Sequence, residues 1–183
     1  MNLHPKPEIT ISHRDSFPPD RMDELDKMID FAFFAEWGPT PAEEDSMEWA
    51  SPEIHFVAYI EGQPVSHVGL LRRTVRVGAA NVVVGGIGGV CTHPDFLRRG
   101  YARMLMQASR EYMQQDGGFA FGMLFCHVRR ITLYEALGYF TVDAPLWMIQ
   151  HGERKLYNSP KMVLPLTSMP WPAGEIDIQG FPW

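Results

Sequence analysis

Residues 97–102, Leu-Arg-Arg-Gly-Tyr-Ala, set two adjacent guanidinium groups and a glycine where an apolar strand gives way to an amphipathic helix. Free backbone N–H groups at a helix N-terminus make an anion site, and the helix dipole adds to it. Arg98 and Arg99 put positive charge at the end of a helix where arginine is otherwise electrostatically misplaced, so an anionic ligand is expected there. Gly100 lets the backbone approach such a ligand closely. The glycines upstream, Gly85, Gly86, Gly88 and Gly89, invite a nucleotide-loop reading, and that reading fails. Counted from Gly86, the sixth position of G-x-G-x-x-G is Cys91, and no G-x-x-x-x-G-K-[ST] occurs in the chain.

Other side chains could move protons. Tyr134 carries a phenol that is protonated at neutral pH and can donate a proton, although periodicity alone reads it as a core residue. His127, after an apolar run, has the ordinary pKa of a base working near neutrality. Glu36, Glu43, Glu44, Asp45 and Glu48 crowd an acidic stretch. Cys91 and Cys126 have no activating neighbour visible in the sequence and are expected to be inert. The seven histidines show no metal-ligand spacing, so no metal is expected.

These groups must be carried by a mixed α/β chain. Residues 8–12 alternate as a strand, and 21–34 space Met22, Leu25, Met28, Ile29 and Ala32 three or four apart, as a helix does. Residues 36–52 read as a loop or broken helix. Strands follow over 54–60, 65–77 and 81–92, joined by turns at Glu61-Gly62-Gln63 and Gly78-Ala79-Ala80, which makes an antiparallel meander. A helix is expected over 98–115, stopped by Gly117, and a strand buried on both faces over 119–126. A short helix over 129–137 and strands over 139–150 and 161–166 complete the set. Residues 167–183 form a Pro- and Gly-rich tail.

Bulk properties narrow the partners. The 183 residues predict one domain, spanning 1–183. A hydrophobic content of 45% with 21% charged residues is that of an ordinary soluble globular protein. Residues 1–16 lack an apolar core, so no signal peptide is expected, and no apolar run approaches a membrane span. Two cysteines cannot build a disulfide framework, which points by default to the cytosol. A net charge of −6 argues against nucleic acid and for a cationic ligand.

The strand followed by His-Pro-Asp-Phe-Leu-Arg-Arg-Gly-Tyr-Ala and an amphipathic helix resembles the acyl-CoA pyrophosphate motif of the GNAT superfamily, [QR]-x-x-G-x-[GA]. Gly100 and Ala102 match it. Leu97 stands where the superfamily prefers Gln or Arg, so that phosphate contact is either lost or moved to Arg98. Residues 131–140, ITLYEALGYF, resemble the second signature, an aromatic-x-x-x-Gly-[FY] block. Shorter stretches at Gly38-Pro39-Thr40, Gly69 to Arg73 and Trp171 to Gly174 are similar to the nodulation N-acyltransferases. The 67–78 hairpin and the Trp-x-Ala-Gly tail ending in tryptophan also resemble aminoglycoside 2′-N-acetyltransferases.

The resemblance implies a GNAT fold, a mixed central sheet with an antiparallel meander and flanking helices, and acetyl-CoA as acyl donor. It implies that the backbone of Val90, Cys91 and Thr92 holds the pantetheine and thioester, and that Arg98, Arg99, Gly100, Tyr101 and Ala102 hold the pyrophosphate. Tyr134 falls at the position of the general acid. The base is open: a carboxylate of related enzymes falls at Gly86 or Gly88, leaving His127, Glu36, Asp45, Glu48 or a water chain. Both subgroups acylate the 2-amino group of an amino sugar, so a cationic amino sugar, an aminoglycoside first, is the expected acceptor. A longer-chain N-acyltransferase and a non-catalytic CoA-binding module are the alternatives. A homodimer is expected from the family. The tail is expected to fold over the acceptor pocket, with Trp171 and the Trp183 indole against a sugar ring and the terminal carboxylate against an ammonium. Glu36, Asp45 and Glu48 would form a facing negative wall.

Overall fold

The computed structural model describes residues 6–38 and 47–183. The chain opens with β1 (Glu8–His13) and α1 (Pro19–Trp37), which starts on Pro19, a residue already set to helical φ and with no N–H to lose. The meander is β2 (Ile54–Ile60), β3 (Gln63–Val77) and β4 (Ala80–Thr92), all antiparallel. Helix α2 (Tyr101–Asp116) crosses over to β5 (Phe121–Phe125), which runs parallel to β4. A 3-10 turn and α3 (Ile131–Glu135) lead to β6 (Phe140–Thr141), β7 (Leu146–Gln150), β8 (Glu153–Leu156), β9 (Lys161–Pro165) and β10 (Ile176–Asp177).

The sheet runs β6-β9-β5-β4-β3-β10-β7-β8 and forks at β3. The first half of β3 pairs with β2, which carries β1, and its last residues pair with β10. Every residue of β2 is buried, because helices cover both faces. Ile54, Phe56, Ala58 and Ile60 meet Leu105 and Met113 of α2, while Val57 and Tyr59 meet Leu25, Met28 and Ala32 of α1. The three-to-four spacing seen in residues 21–34 is the stripe that α1 buries.

Several expectations need correction. Helix α2 begins at Tyr101, not Arg98, because Arg98 (φ +59°) and Gly100 (φ +83°) are both left-handed. Glu36 belongs to the last turn of α1, not to a loop. The strand expected over 139–150 is broken into β6 and β7, and β8 returns from β7 through His151 and Gly152, both at positive φ. The tail contributes a strand of its own, which residues 167–183 were not expected to hold: β10 wedges between β3 and β7, with Ile176 and Ile178 fully buried.

Candidate active site

The cleft is made by β4 outrunning its neighbour. Its pairing with β5 ends at Ile87 and Leu124, and residues 88–92 continue without β5 beside them. On the other side the register slips: His67 faces Cys91 and Gly69 faces Gly88, so Gly89 and Val90 together oppose Val68. This is a β-bulge, which bends a strand and re-aims its peptide groups. Gly89 takes φ +59°, and a Cβ there would crowd His67 Cε1 at 3.0 Å.

Helix α1 roofs the gap. Phe31 lies against His93, which follows β4, with ring centroids 5.1 Å apart. Trp37 lies against His127, beyond β5, at 5.3 Å. The Arg129 guanidinium sits 3.6 Å over the Trp37 ring. Glu36 pairs with Arg130 and, at 3.7 Å, with Arg129. These three charged residues line a cavity of about 350 Å³.

At the far end of β4, the loop reads as a built turn. His93 Nδ1 accepts the Asp95 N–H at 3.3 Å, and Arg99 Nη2 donates to the Asp95 carbonyl at 2.7 Å. Arg99 also covers Phe96, 4.8 Å from its centroid. Arg99 therefore shapes the loop, while Arg98 is exposed. Gly100 has nothing within 4 Å of where a Cβ would stand, so the start of α2, with Ala102 in its first turn, is open to a ligand. Tyr101 is buried in the core beneath it.

Tyr134, on α3, is 7% exposed, and burial pushes its phenol up to about 12, with smaller contributions from Cys126 and Glu36 and an opposing one from Arg130. Desolvation disfavours the phenolate, so the proton stays in place. Burial also lifts the Cys91 thiol to about 12, and the charge of Glu36 adds to that lift. Glu36 thus stands within electrostatic reach of both Tyr134 and Cys91. Cys91 packs toward α1, and its backbone carbonyl accepts Ser66 Oγ–H at 2.7 Å. Ser66 Oγ also meets Thr92 Oγ1 at 2.8 Å.

The base candidates are occupied. His127 Nδ1 accepts the Arg129 N–H at 3.3 Å, so a neutral ring carries its proton on Nε2 and has no second lone pair to offer. Glu36 is matched by two arginines. Glu48 accepts the His151 N–H at 2.6 Å and ties the chain to the β7–β8 turn. Asp45 lies outside the described residues. The expected negative wall is therefore charge-compensated at Glu36, and Glu48 is engaged by a backbone N–H.

The two tail tryptophans pack against protein side chains. Trp183 is 8% exposed, its ring 4.8 Å from that of Phe125 and its Nε1–H donating to the Met123 carbonyl at 3.3 Å. It fills the space over Gly86 and Gly88, so its indole faces protein and is not free to cover a sugar ring. Trp171 packs edge-on to Phe121, and its buried Nε1–H has no partner among the described residues. Burial of apolar area outweighs exposure of either ring to solvent.

Sequence reasoning missed a buried histidine pair. His55 and His67 are 2% and 1% exposed, with His55 Nδ1 3.1 Å from His67 Nε2 and His67 Nδ1 2.8 Å from the Gly89 carbonyl. No local pattern in the sequence announces the pair, because uniform alternation from the turn would put the two rings on opposite faces. A register shift between Ala58 and Tyr59, beyond the turn at Glu61-Gly62, sets His55 opposite Gly69 and His67 opposite Val57, so the two histidines are near neighbours on one face.

A family model described as an acetyltransferase (GNAT) domain matches residues 17–142. Nodulation protein A of Rhizobium tropici is 28% identical over 146 residues, covering 73% of this chain and 74% of that protein. Nodulation protein A of Rhizobium etli is 34% identical over 115 residues, covering 58% of this chain and 57% of that protein. Among solved structures, an acyl-CoA N-acyltransferase from Pseudomonas aeruginosa superposes with a TM-score of 0.63 at 17% identity, over 87% of this chain and 99% of that one. A GNAT family acetyltransferase from Brucella melitensis, in complex with acetyl-CoA, does so at 0.61 and 16% identity, over 92% and 94%.

Proposed function

Because the chain belongs to the acetyltransferase (GNAT) family, we propose that it transfers the acetyl group of acetyl-CoA to a primary amine of an amino sugar. The observation that carries this reading is the freed stretch of β4: residues 88–92 leave β5, bulge at Gly89 and Val90, and end in a loop open at Gly100. Acetyl-CoA supplies an activated thioester. The chain's own residues do the rest. The backbone at Val90, Cys91 and Thr92 aligns the donor, and the Arg98–Ala102 loop takes its pyrophosphate charge at the start of α2. Tyr134 keeps its proton until a thiolate leaves. With Glu36, Glu48 and His127 engaged elsewhere, the amine's proton passes to solvent through water.

The acceptor class rests on the likeness of the hairpin and tail to aminoglycoside 2′-N-acetyltransferases and on the nodulation relatives. A second reading, a longer acyl donor, is favoured by Phe31 and Phe34 of α1, which are 50% and 61% exposed. A thiol-release assay decides. Turnover with acetyl-CoA and aminoglycosides or glucosamine oligomers supports the first reading. Turnover only with long-chain acyl-CoA or acyl carrier donors supports the second, and donor binding without turnover on any amine overturns both. A cytoplasmic homodimer is part of the same proposal, its subunit count checked by sedimentation.

A further inference from the structure

The histidine pair has no place in the chemistry above, yet it sits directly behind the bulge. A carbonyl can only accept, so His67 Nδ1–H donates to the Gly89 carbonyl. A neutral His67 then has only a lone pair at Nε2, and His55 must supply the Nδ1–H that meets it. The tautomers of both rings follow from the one carbonyl. The cost is visible at the other end: among the described residues, His55 Nε2 is left as a buried acceptor with no donor. A buried polar atom without a partner is destabilising, so the arrangement calls for a reason beyond packing.

The reason lies in the peptide that His67 grips. The carbonyl of Gly89 and the N–H of Val90 belong to one trans peptide unit and point in opposite directions. With the carbonyl held toward β3 by His67, the N–H is aimed the other way, along the side of β4 that β5 has left. Hydrogen bonds in a chain polarise one another, so donation into the carbonyl makes that N–H a stronger donor. Val90 lies in the bulge opposite Val68, outside the one-to-one register with β3, and beyond the point where pairing with β5 ends.

We propose that His67, oriented by His55, is a positioning residue that fixes and polarises the Gly89–Val90 peptide so that the Val90 N–H stabilises negative charge developing on the donor's carbonyl oxygen. This rests on the acetyltransferase reading. It adds two residues that touch neither substrate and act through the backbone.

The test uses His67→Leu, which removes the donor, and His67→Asn, whose side-chain amide can place an N–H near the position of Nδ1. Loss of a whole oxyanion donor costs about 10²–10³ in kcat, and loss of its polarisation costs less. His67→Leu is expected to lower kcat on the order of 10-fold with acetyl-CoA affinity within about twofold, and His67→Asn to recover most of the loss. Wild-type kcat in His67→Leu, or an equal loss in His67→Asn, overturns the proposal. A readout that needs neither turnover nor a folded variant is the imidazole nitrogen spectrum of wild-type protein. Both rings are expected as neutral Nδ1–H tautomers, and a proton on Nε2 of His67 overturns the assignment. If wild-type protein fails to bind acetyl-CoA while these tautomers are found, the functional reading has failed and the hydrogen-bonded dyad stands.

Discussion

Trp183 lies flat over Gly86: a Cβ at residue 86 would fall 2.5 Å from Trp183 Cε2 and 2.8 Å from its Nε1. The neighbouring Gly88 faces the backbone carbon of Trp183 at 2.7 Å by the same construction. The two positions where related enzymes were expected to carry a carboxylate are therefore glycine because the end of the tail occupies the space.

That contact makes a stability prediction. Gly86→Ala forces a methyl into a filled site and is expected to cost about 1–3 kcal/mol, the range for overpacking a core. Trp183→Ala empties the same site and is expected to cost about 3–5 kcal/mol. Urea denaturation checks both. Unchanged midpoints would return the tail to the status of a surface extension.

The loop at the start of α2 can be tested without confusing strain with binding. Gly100→Ala meets no atom but must adopt φ +83°, so it is expected to cost about 1 kcal/mol of stability and leave acetyl-CoA affinity within a few-fold. Gly100→Asp adds a negative charge at the same point and is expected to abolish binding in a calorimetric titration. Equal affinity for the two variants would remove the loop from the donor site.

Tyr134→Phe removes one hydroxyl and almost no volume. It is expected to lower kcat about 10²–10⁴-fold with acetyl-CoA binding intact. Because burial holds the phenol up at about 12, loss of its proton cannot produce a falling limb in kcat below roughly pH 11. A limb near pH 9 that vanishes in Tyr134→Phe would contradict this.

Burial pulls both His55 and His67 down to about 4, and Arg14, in the turn beside His55, pushes the same way on that ring. The Cys91 thiol opposite them stays neutral. In the unfolded chain each histidine takes up its proton near 6.5, so their full contribution to stability is present above that pH. It is lost as pH falls from about 6.5 toward 4, on the order of 1 kcal/mol per pH unit for each ring at most. Chemical denaturation at pH 7 and pH 5 is expected to show a drop that His55→Phe reduces. An identical drop in the variant would assign the acid sensitivity to other groups.

The sequence by itself determined the strands of the meander and their order, the stripe of α1, the crossover helix and the loop that precedes it. These are local matters of turn residues and apolar period, and the chain repeats them as written at Glu61-Gly62 and Leu25-Met28-Ala32, while the start of the crossover helix moves from Arg98 to Tyr101. It also marked Tyr134 through the motif around it. Only the tertiary structure decided what those residues meet. That Glu36 is matched by arginines 93 and 94 positions away, that Trp183 fills the space over Gly86, and that His67 reaches the Gly89 carbonyl all depend on pairings across the sheet. Such pairings are set by burial of apolar area over the whole domain, and no local pattern encodes them. The paired histidines show the difference most sharply: the register shift between Ala58 and Tyr59 put both on one face of adjacent strands, and the bulge opposite Val68, formed by Gly89 and Val90, turned that proximity into a hydrogen-bonded chain ending at the cleft.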